Sequence, residues 1–542
     1  MWPVSQLAVK VNNYKIMTQF NIDENGHCVI PAGTTEIGER AFVRCRNLQS
    51  VKIPNGVTSI GAYAFMECDS LKSVEMPDSV IEIGEFAFGG CRSLQSIKIP
   101  NGVTTIGDHT FWDCESLQSV EIPDSVTSIG ERAFNYCESL RSIEIPGSVT
   151  EIGECVFNAC HSLQSIEVSP DNESFMSRDN CLLSKDGTRL LRGCKTSIIP
   201  DSVTEIGESA FGDCESLKFI KIPNSVLSIG REAFCCCRSL QAIEIPDSVT
   251  EIGERAFSGC NSLQSIDVSQ DNENFMSRDN CLLSKDGTRL LFGCNTSVIP
   301  DGVTEIGDYA FSGCRDLQSI DIPSSVARIG DYVFVGCDSL QSIEVSQDNG
   351  CFMSRNNCLL SKDGTILLIG CKTSVIPDSV TEIGRFAFSG CRDLQSIDIP
   401  GSVTRIGDYA FYSCRSLQSV KIPDSVIEIA DHAFGLCRNL QSVDIPSSVT
   451  RIGNYAFEYC KNLQSIEISD NVTSIGQSAF LKSKSLSSLI LHYDAPADLS
   501  PELVDRLPIS DRITLHVPVG TGDAYRHHPV FSKAKEVVDD VR

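Results

Sequence analysis

A cysteine returns every 23 residues. It stands at positions 45, 68, 91, 114, 137 and 160, resumes at 214, 237 and 260, then at 314 and 337, and again at 391, 414, 437 and 460. Ser483 takes the next place in the series. Each break spans 54 residues, one unit of 23 and one of 31, so three units are longer by eight and the register is never lost. A chain of 542 residues would ordinarily divide into several domains, but so short a period overrides that expectation. A unit of this size cannot bury an apolar face alone. Stacked units can, each covering the next.

Counted from the cysteine as zero, the unit has a fixed grammar. "SLQSIEIP" places Leu at +3, Ile or Val at +6 and Ile at +8, the alternation of a short strand with its apolar side chains inward. Pro at +9 cannot donate a ladder hydrogen bond and ends the strand. "SVTEIG" buries Val and Ile again and turns at a Gly that 15 of 16 regular units keep, Ala430 being the exception. A position that needs φ > 0, or one where another backbone comes close, explains such a Gly. "ERAF" reads as one helical or 3₁₀ turn leading back to the cysteine. Phe at +20 occupies all 16 regular units, from Phe42 to Phe480, as a packed aromatic spine.

The ends leave the period. Residues 1–31 read as a β cap of two strands, "LAVKVNNYKI" and "HCVIP". Residues 32–491 are the solenoid, with long units near 169–199, 269–299 and 346–376. Residues 492–542 form a C-terminal cap, in which "RITLHVPVG" is a last strand and "DAYRHHPVFSKAKEVV" a covering helix. Counting a terminal strand at each end gives about 21 coils, by the strand spacing a stack roughly 100 Å long. The long units are near copies, "FMSRDNCLLSKDGTRLL" twice and "FMSRNNCLLSKDGTILL" once. Asp-Gly between apolar runs makes Asp186-Gly187, Asp286-Gly287 and Asp363-Gly364 the tips of three β-hairpin insertions.

Charge and motif exclude several functions. The net charge is −26, against nucleic acid or an anionic membrane as the main partner. No stretch approaches the roughly 18 apolar residues of a membrane helix. The start lacks the basic and apolar regions of a signal peptide. Either the chain stays inside the cell, or its export signal is not visible in these residues. Zinc sites use clustered pairs, not one thiol per 23 residues. Equivalent cysteines in a parallel stack point the same way, with Cβ atoms near 4.8 Å, beyond the usual disulfide span of about 3.5–4.5 Å. They read as small buried hydrophobes. Cys235 and Cys236, beside the ladder's Cys237, depart from this; they are either drift in a loop or an exposed, reactive pair. No nucleophile meets a base, and no phosphate loop occurs, so neither an enzyme nor a cofactor is expected.

These residues carry a resemblance. "A-F-x-x-C-x-S-L-x-S-I-x-I-P-x-S-V-T-x-I-G" is similar to the BspA-like, or Treponema-type, leucine-rich repeat, over about residues 28–518. The long units look like that family's hairpin variant. The resemblance implies a mainly β solenoid, a right-handed leucine-rich-repeat array with short helical turns. It also implies a surface or secreted adhesin that binds host or cell-surface proteins.

A partner would bind the outward positions +4, +5 and +7 of the strand, on the concave sheet. Position +7 is acidic in eleven of the fifteen units from Cys45 to Cys460 and Lys in four (Lys52, Lys98, Lys221, Lys421). That stripe is either a solvated face or a steering field for a basic partner. One place breaks the pattern. "CESLKFIKIP" puts Phe219 where Ser is the rule, Lys218 for Gln and Lys221 for an acid. "CKTSIIP" before it adds Lys195 and Ile198. An exposed aromatic ringed by lysines has the composition of an interface anchor, with neutral drift as the alternative. The expectation is a monomeric, non-catalytic scaffold for a protein ligand. Its alternatives are a structural spacer or a redox protein using Cys235-Cys236.

Overall fold

The structure, a computed structural model, describes residues 20–541. The expected strand "LAVKVNNYKI" lies outside these residues. The chain is a β-solenoid that divides into two compact units. One runs to Leu240 and takes in Ser248–Phe257; the other comprises Gln241–Asp247 and Ser258 onward.

In the first unit most coils contribute a long strand and a short one. Ser142–Ile145 is a long strand and pairs parallel with Ser165–Val168, Ser142 opposite Ser165. Glu151–Ile152 is a short strand and pairs with Ser128–Ile129. Between 23-residue units the register is one period, because a slip of one residue would turn the buried Ile side chains outward. "HCVIP" holds the strand His27–Val29, paired with Ser50–Lys52.

The segment expected to be one helical or 3₁₀ turn is neither. From Arg132 its N–H groups alternate. Those of Arg132, Phe134 and Tyr136 donate to Glu154, Val156 and Asn158 on the next coil, at 2.9, 3.1 and 2.9 Å. Those of Ala133, Asn135 and Cys137 return three residues, to Gly130, Arg132 and Phe134. Arg132 and Tyr136 hold φ of 51° and 61° to permit this. A helix would spend all these donors inside one coil; here half of them join coils together.

The recurrent Gly is explained by close approach. Its φ is not positive in the 23-residue units. A Cβ on Gly153 would stand 2.5 Å from the Glu131 nitrogen of the previous coil. Where Ala430 replaces it, the N–H bond to Ile406 is 3.0 Å, against 2.8 Å at Gly407, Gly453 and Gly476.

The Phe rings stack face to face. Phe88, Phe111 and Phe134 lie 5.6 and 5.4 Å apart, with planes within 8°. In the second unit Phe388, Phe411 and Phe434 do the same at 5.1 Å. The long units carry no spine Phe. Instead the backbone of Gly193, Gly293 or Gly370 lies on the next ring, Phe211, Phe311 or Phe388, where a Cβ would strike it.

Each long unit is a three-stranded antiparallel meander. Phe175–Arg178 pairs with Cys181–Ser184, which pairs with Arg189–Arg192. Asp186-Gly187 lies in the second turn, where the Asp186 carboxylate accepts from Ser184 Oγ, Thr188 N and Thr188 Oγ1. These bonds, led by that from Ser184, hold it below the usual carboxylate range. The first turn is Asp179-Asn180, φ 51° and 60°, a two-residue connection of the type I′ class. Arg189–Arg192 then continues the short-strand sheet, Leu190 opposite Ile206.

The cysteine column serves the backbone. Ladder thiols that follow a 23-residue unit donate to the spine Phe carbonyl of the coil before, at 3.0–3.3 Å (Cys68 to Phe42, Cys137 to Phe111, Cys460 to Phe434), while Cys214, Cys314 and Cys391, after the long units, reach Gly193, Gly293 and Gly370 at 3.6–3.7 Å. Ser483 does so through its hydroxyl, 2.9 Å to Phe457. All 26 cysteines are free, and only Cys155, Cys236, Cys351 and Cys391 are not buried. Burial pushes the ladder thiols up, Cys160 to about 12. An aromatic disulfide reagent should therefore modify few thiols in the native protein, exposed Cys351 first. Nearly all 26 should react in denaturant without reductant. Half of them unreactive in denaturant would mean disulfides and would refute the ladder.

The C-terminal segment differs from the expected strand and covering helix. The helix is only Gly522–His527. His528 is extended, ψ 134°, as the residue before Pro529 must be. "EVV" belongs to a further strand, Glu536–Val541, parallel to Thr514–Pro518. A second short helix, Pro501–Arg506, starts at a Ser500 cap that accepts from the Leu503 N–H.

Candidate functional site

Around Phe219 the coil keeps its inward residues. Leu217 and Ile222 are buried, and so is Ile199 on the coil before. The two coils are neighbours, because their short strands Glu205–Ile206 and Ser228–Ile229 pair in register. Outward, Phe219 is 65% exposed and is the one exposed aromatic among the described residues. Lys218 and Lys221 are exposed beside it, and Lys195 is half-buried. Among the described residues no ion pair or side-chain hydrogen bond engages these three lysines. Residues 218–222 also carry no strand, unlike the corresponding Ser142–Ile145.

Ile198 is 67% exposed, with Ser197 buried behind it. Its exposure belongs to the long unit as such. Val298 and Val375 stand at the same place, 59% and 62% exposed, each with a buried serine before it. All three backbone N–H groups donate to the meander, to Asp179, Asp279 and Asn356, at 3.1 Å. What is particular to the first site is the following coil. After the other two long units, +5 is Ser319 or Ser396 and +7 is Asp321 or Asp398.

The second unit holds a groove of about 780 Å³ that sequence reasoning did not locate. Asp444 and Glu467 of the acidic stripe line it, with Asp424, Asp470, Asp494, Lys421 and His492. His492 Nε2 meets Glu467 Oε1 at 2.6 Å. Asp424 and Asp470 come from the turn after the strand, and Asp494 from beyond the repeat, so no column of the period marked them.

Of the expected reactive pair, Cys235 is buried and only Cys236 is partly exposed. Asn172, in an Asn-x-Ser sequence, is fully buried. Its amide donates to the carbonyls of Pro146 and Val149 at 2.8 Å and its oxygen caps Ser174 and Phe175, so it is a latch for the meander. No group of His, Cys, Asp or Glu that could hold a metal ion occurs among the described residues. No helix there is long and apolar enough to cross a membrane.

Solved leucine-rich repeat proteins resemble the chain over most of their length. One from Eubacterium ventriosum is 21% identical, covering 73% of this chain and 92% of its own, with a TM-score of 0.40. One from Bacteroides ovatus is 27% identical, covering 83% and 93%, with a TM-score of 0.28. A leucine rich cell surface protein from Faecalibacterium prausnitzii is 24% identical, covering 87% and 92%, with a TM-score of 0.24. No curated protein matches the chain. The family described as BspA type leucine rich repeat region matches residues 19–114, 58–181, 192–282, 292–360 and 370–493. These matches span most of the sequence, and the chain belongs to the BspA-type leucine-rich repeat family.

Proposed function

We propose that the protein is a non-catalytic protein-binding scaffold of the adhesin kind, and that its partner seats on the long-strand face around Phe219. The observation that carries this is the exposed phenyl ring in a column that Ser occupies everywhere else but at Ala242. Leaving a Phe in water forgoes about 1.5–3 kcal/mol of burial, which a partner's pocket returns. Lys218 and Lys221, free of intramolecular partners, supply a cationic rim. The partner thus offers an apolar pocket edged with carboxylates. Lys195 and Ile198 on the neighbouring coil extend the same face. The acidic residues elsewhere at +7 disfavour docking in another register.

The test uses whatever protein the immobilised wild type captures from host or cell extract, titrated against variants. Phe219→Ser restores the repeat and should leave the fold intact. Its affinity should fall about 30-fold, roughly 2 kcal/mol at 1.4 kcal/mol per tenfold. Lys218→Gln with Lys221→Glu should weaken binding less and flatten its salt dependence. Ser396→Ala, at the corresponding place after the third long unit, should change nothing. Unchanged affinity in Phe219→Ser would refute this site and leave the acidic groove as the better one.

A further inference from the structure

Cys235 and Cys236 close the turn of the coil that carries Phe219. Their sulfurs stand 3.6 Å apart, in van der Waals contact. The backbone holds them there. Cys236 sits in the left-handed region, φ 61°, a conformation fixed by the turn and shared with Tyr136 and Asp213 at the same place in other coils. The Cys235 carbonyl accepts from Asp213 N and the Cys236 carbonyl from Arg238 N, both at 2.8 Å.

Most other thiols are differently occupied. Cys237, the next residue, donates to the Phe211 carbonyl at 3.2 Å, as the ladder requires. Cys351 is exposed but no thiol hydrogen bond engages it. In the pair one thiol hydrogen-bonds to another. The hydrogen bond from Cys235 holds Cys236 below the ordinary thiol range, with Arg238 adding a smaller pull; burial and Asp213 oppose it. The same bond, with burial, pushes Cys235 well up. The thiolate is thus favoured at Cys236, the partly exposed residue, over the buried Cys235.

We propose that Cys235 and Cys236 form a two-electron thiol switch, which hydroperoxides close to a disulfide between adjacent residues. Cys236 sulfur attacks one peroxide oxygen. The O–O bond breaks, the departing hydroxide takes a proton and leaves as water, and Cys236 becomes a sulfenic acid. Cys235 sulfur then attacks Cys236 sulfur. The S–S bond forms, the S–O bond breaks, and the hydroxyl leaves as a second water with the Cys235 proton. The two thiols lose two electrons and two protons, and the peroxide is reduced to two waters. Closing 3.6 Å to a bond of about 2.05 Å joins the two residues in an eight-membered ring that includes the peptide between them.

Hydrogen peroxide is the probe. Reduced native protein is treated, the remaining thiols are alkylated in denaturant, and the tryptic peptide Glu232–Arg238, which holds Cys235, Cys236 and Cys237, is weighed and fragmented. The expected product lacks two hydrogens and carries one alkyl group, on Cys237. With Cys235→Ser, Cys236 should stop at a sulfenic acid that a 1,3-dione traps. With Cys236→Ser, oxidation at Cys235 should slow at least tenfold. No disulfide in the wild type, a bridge that includes Cys237, or an undiminished rate in Cys236→Ser would each overturn the proposal.

Discussion

Phe111→Ala should cost about 3–5 kcal/mol, as large-to-small changes of buried aromatics do. Phe111 is wholly buried and stacked on both sides, against Phe88 and Phe134. Its loss opens a gap that neither neighbour can fill. Each ring is fixed by its own coil, and the coil spacing is fixed by the strand ladders, so the site cannot collapse. The carbonyl of Phe111 also accepts the Cys137 thiol at 3.3 Å, and a shift of its backbone would strand that donor. The check is denaturant unfolding with hydrogen exchange, since long repeat arrays need not unfold in one step. Protection should fall most in coils 91–157. A loss under 1 kcal/mol would place Phe111 outside the core.

A loss of the same size, about 3–5 kcal/mol, is expected for Arg192→Ala. Arg192 is 6% exposed in the first long unit. Its guanidinium donates to Asn158 Oδ1 at 2.6 Å and to the carbonyls of Phe157, Ser209 and Gly212 at 2.9 Å. Phe157 and Ser209 belong to coils on either side of the meander, so one side chain binds together what the missing spine ring would have joined. Alanine would leave the buried carbonyls of Phe157 and Gly212 without a donor, each worth about 1–3 kcal/mol unpaired, while that of Ser209 keeps the Gly212 N–H. Arg192→Lys should recover only part of the loss, because an ammonium lacks the planar fork that reaches several acceptors at once. The midpoint of urea unfolding reads the effect. Equal stability of Arg192→Ala and wild type would mean that water replaces the guanidinium at no cost.

Much of this architecture was legible because every coil meets a copy of itself. A repeated Ile, Phe or Pro has the same neighbours each time, and reading one unit reads them all. The turn after the Gly was misread for a physical reason. Its left-handed residues include Arg132, Tyr136, Asp213 and Cys236; Gly holds the place before the cysteine in only some coils, such as Gly90, Gly313 and Gly390, so the signal was diluted, and bonds to the next coil hold the others in place. The thiol's role had a sign in Ser483, which is no hydrophobe but does donate. The end of the helix at His527 was readable in Pro529 and was masked by the apolar spacing that follows it. Phe219 could be found because an exception shows against a repeat. The groove could not, because Asp424, Asp470 and Asp494 stand in turns and beyond the period.

The alternating donors of the turn make the number of coils a free quantity and the length of each coil a fixed one. The bonds between regular coils join fixed places in the unit: a turn N–H reaches the residue just before its counterpart one period on, and a thiol reaches the Phe carbonyl of the coil before. Take out residues 91–113 as a block, and Cys114 arrives where Cys91 stood, with Phe65 behind it offering the same carbonyl. Take out a single residue, and the inward Ile, the left-handed turn and the thiol all miss their partners together. Unequal exchange between the near-identical units would therefore lengthen or shorten such a protein without unmaking it. The 31-residue unit returns the chain to the period, since its last strand pairs with the next short strand. A lineage built this way can move its one unusual surface along the array by whole coils, keeping the anchor and changing its distance from either end.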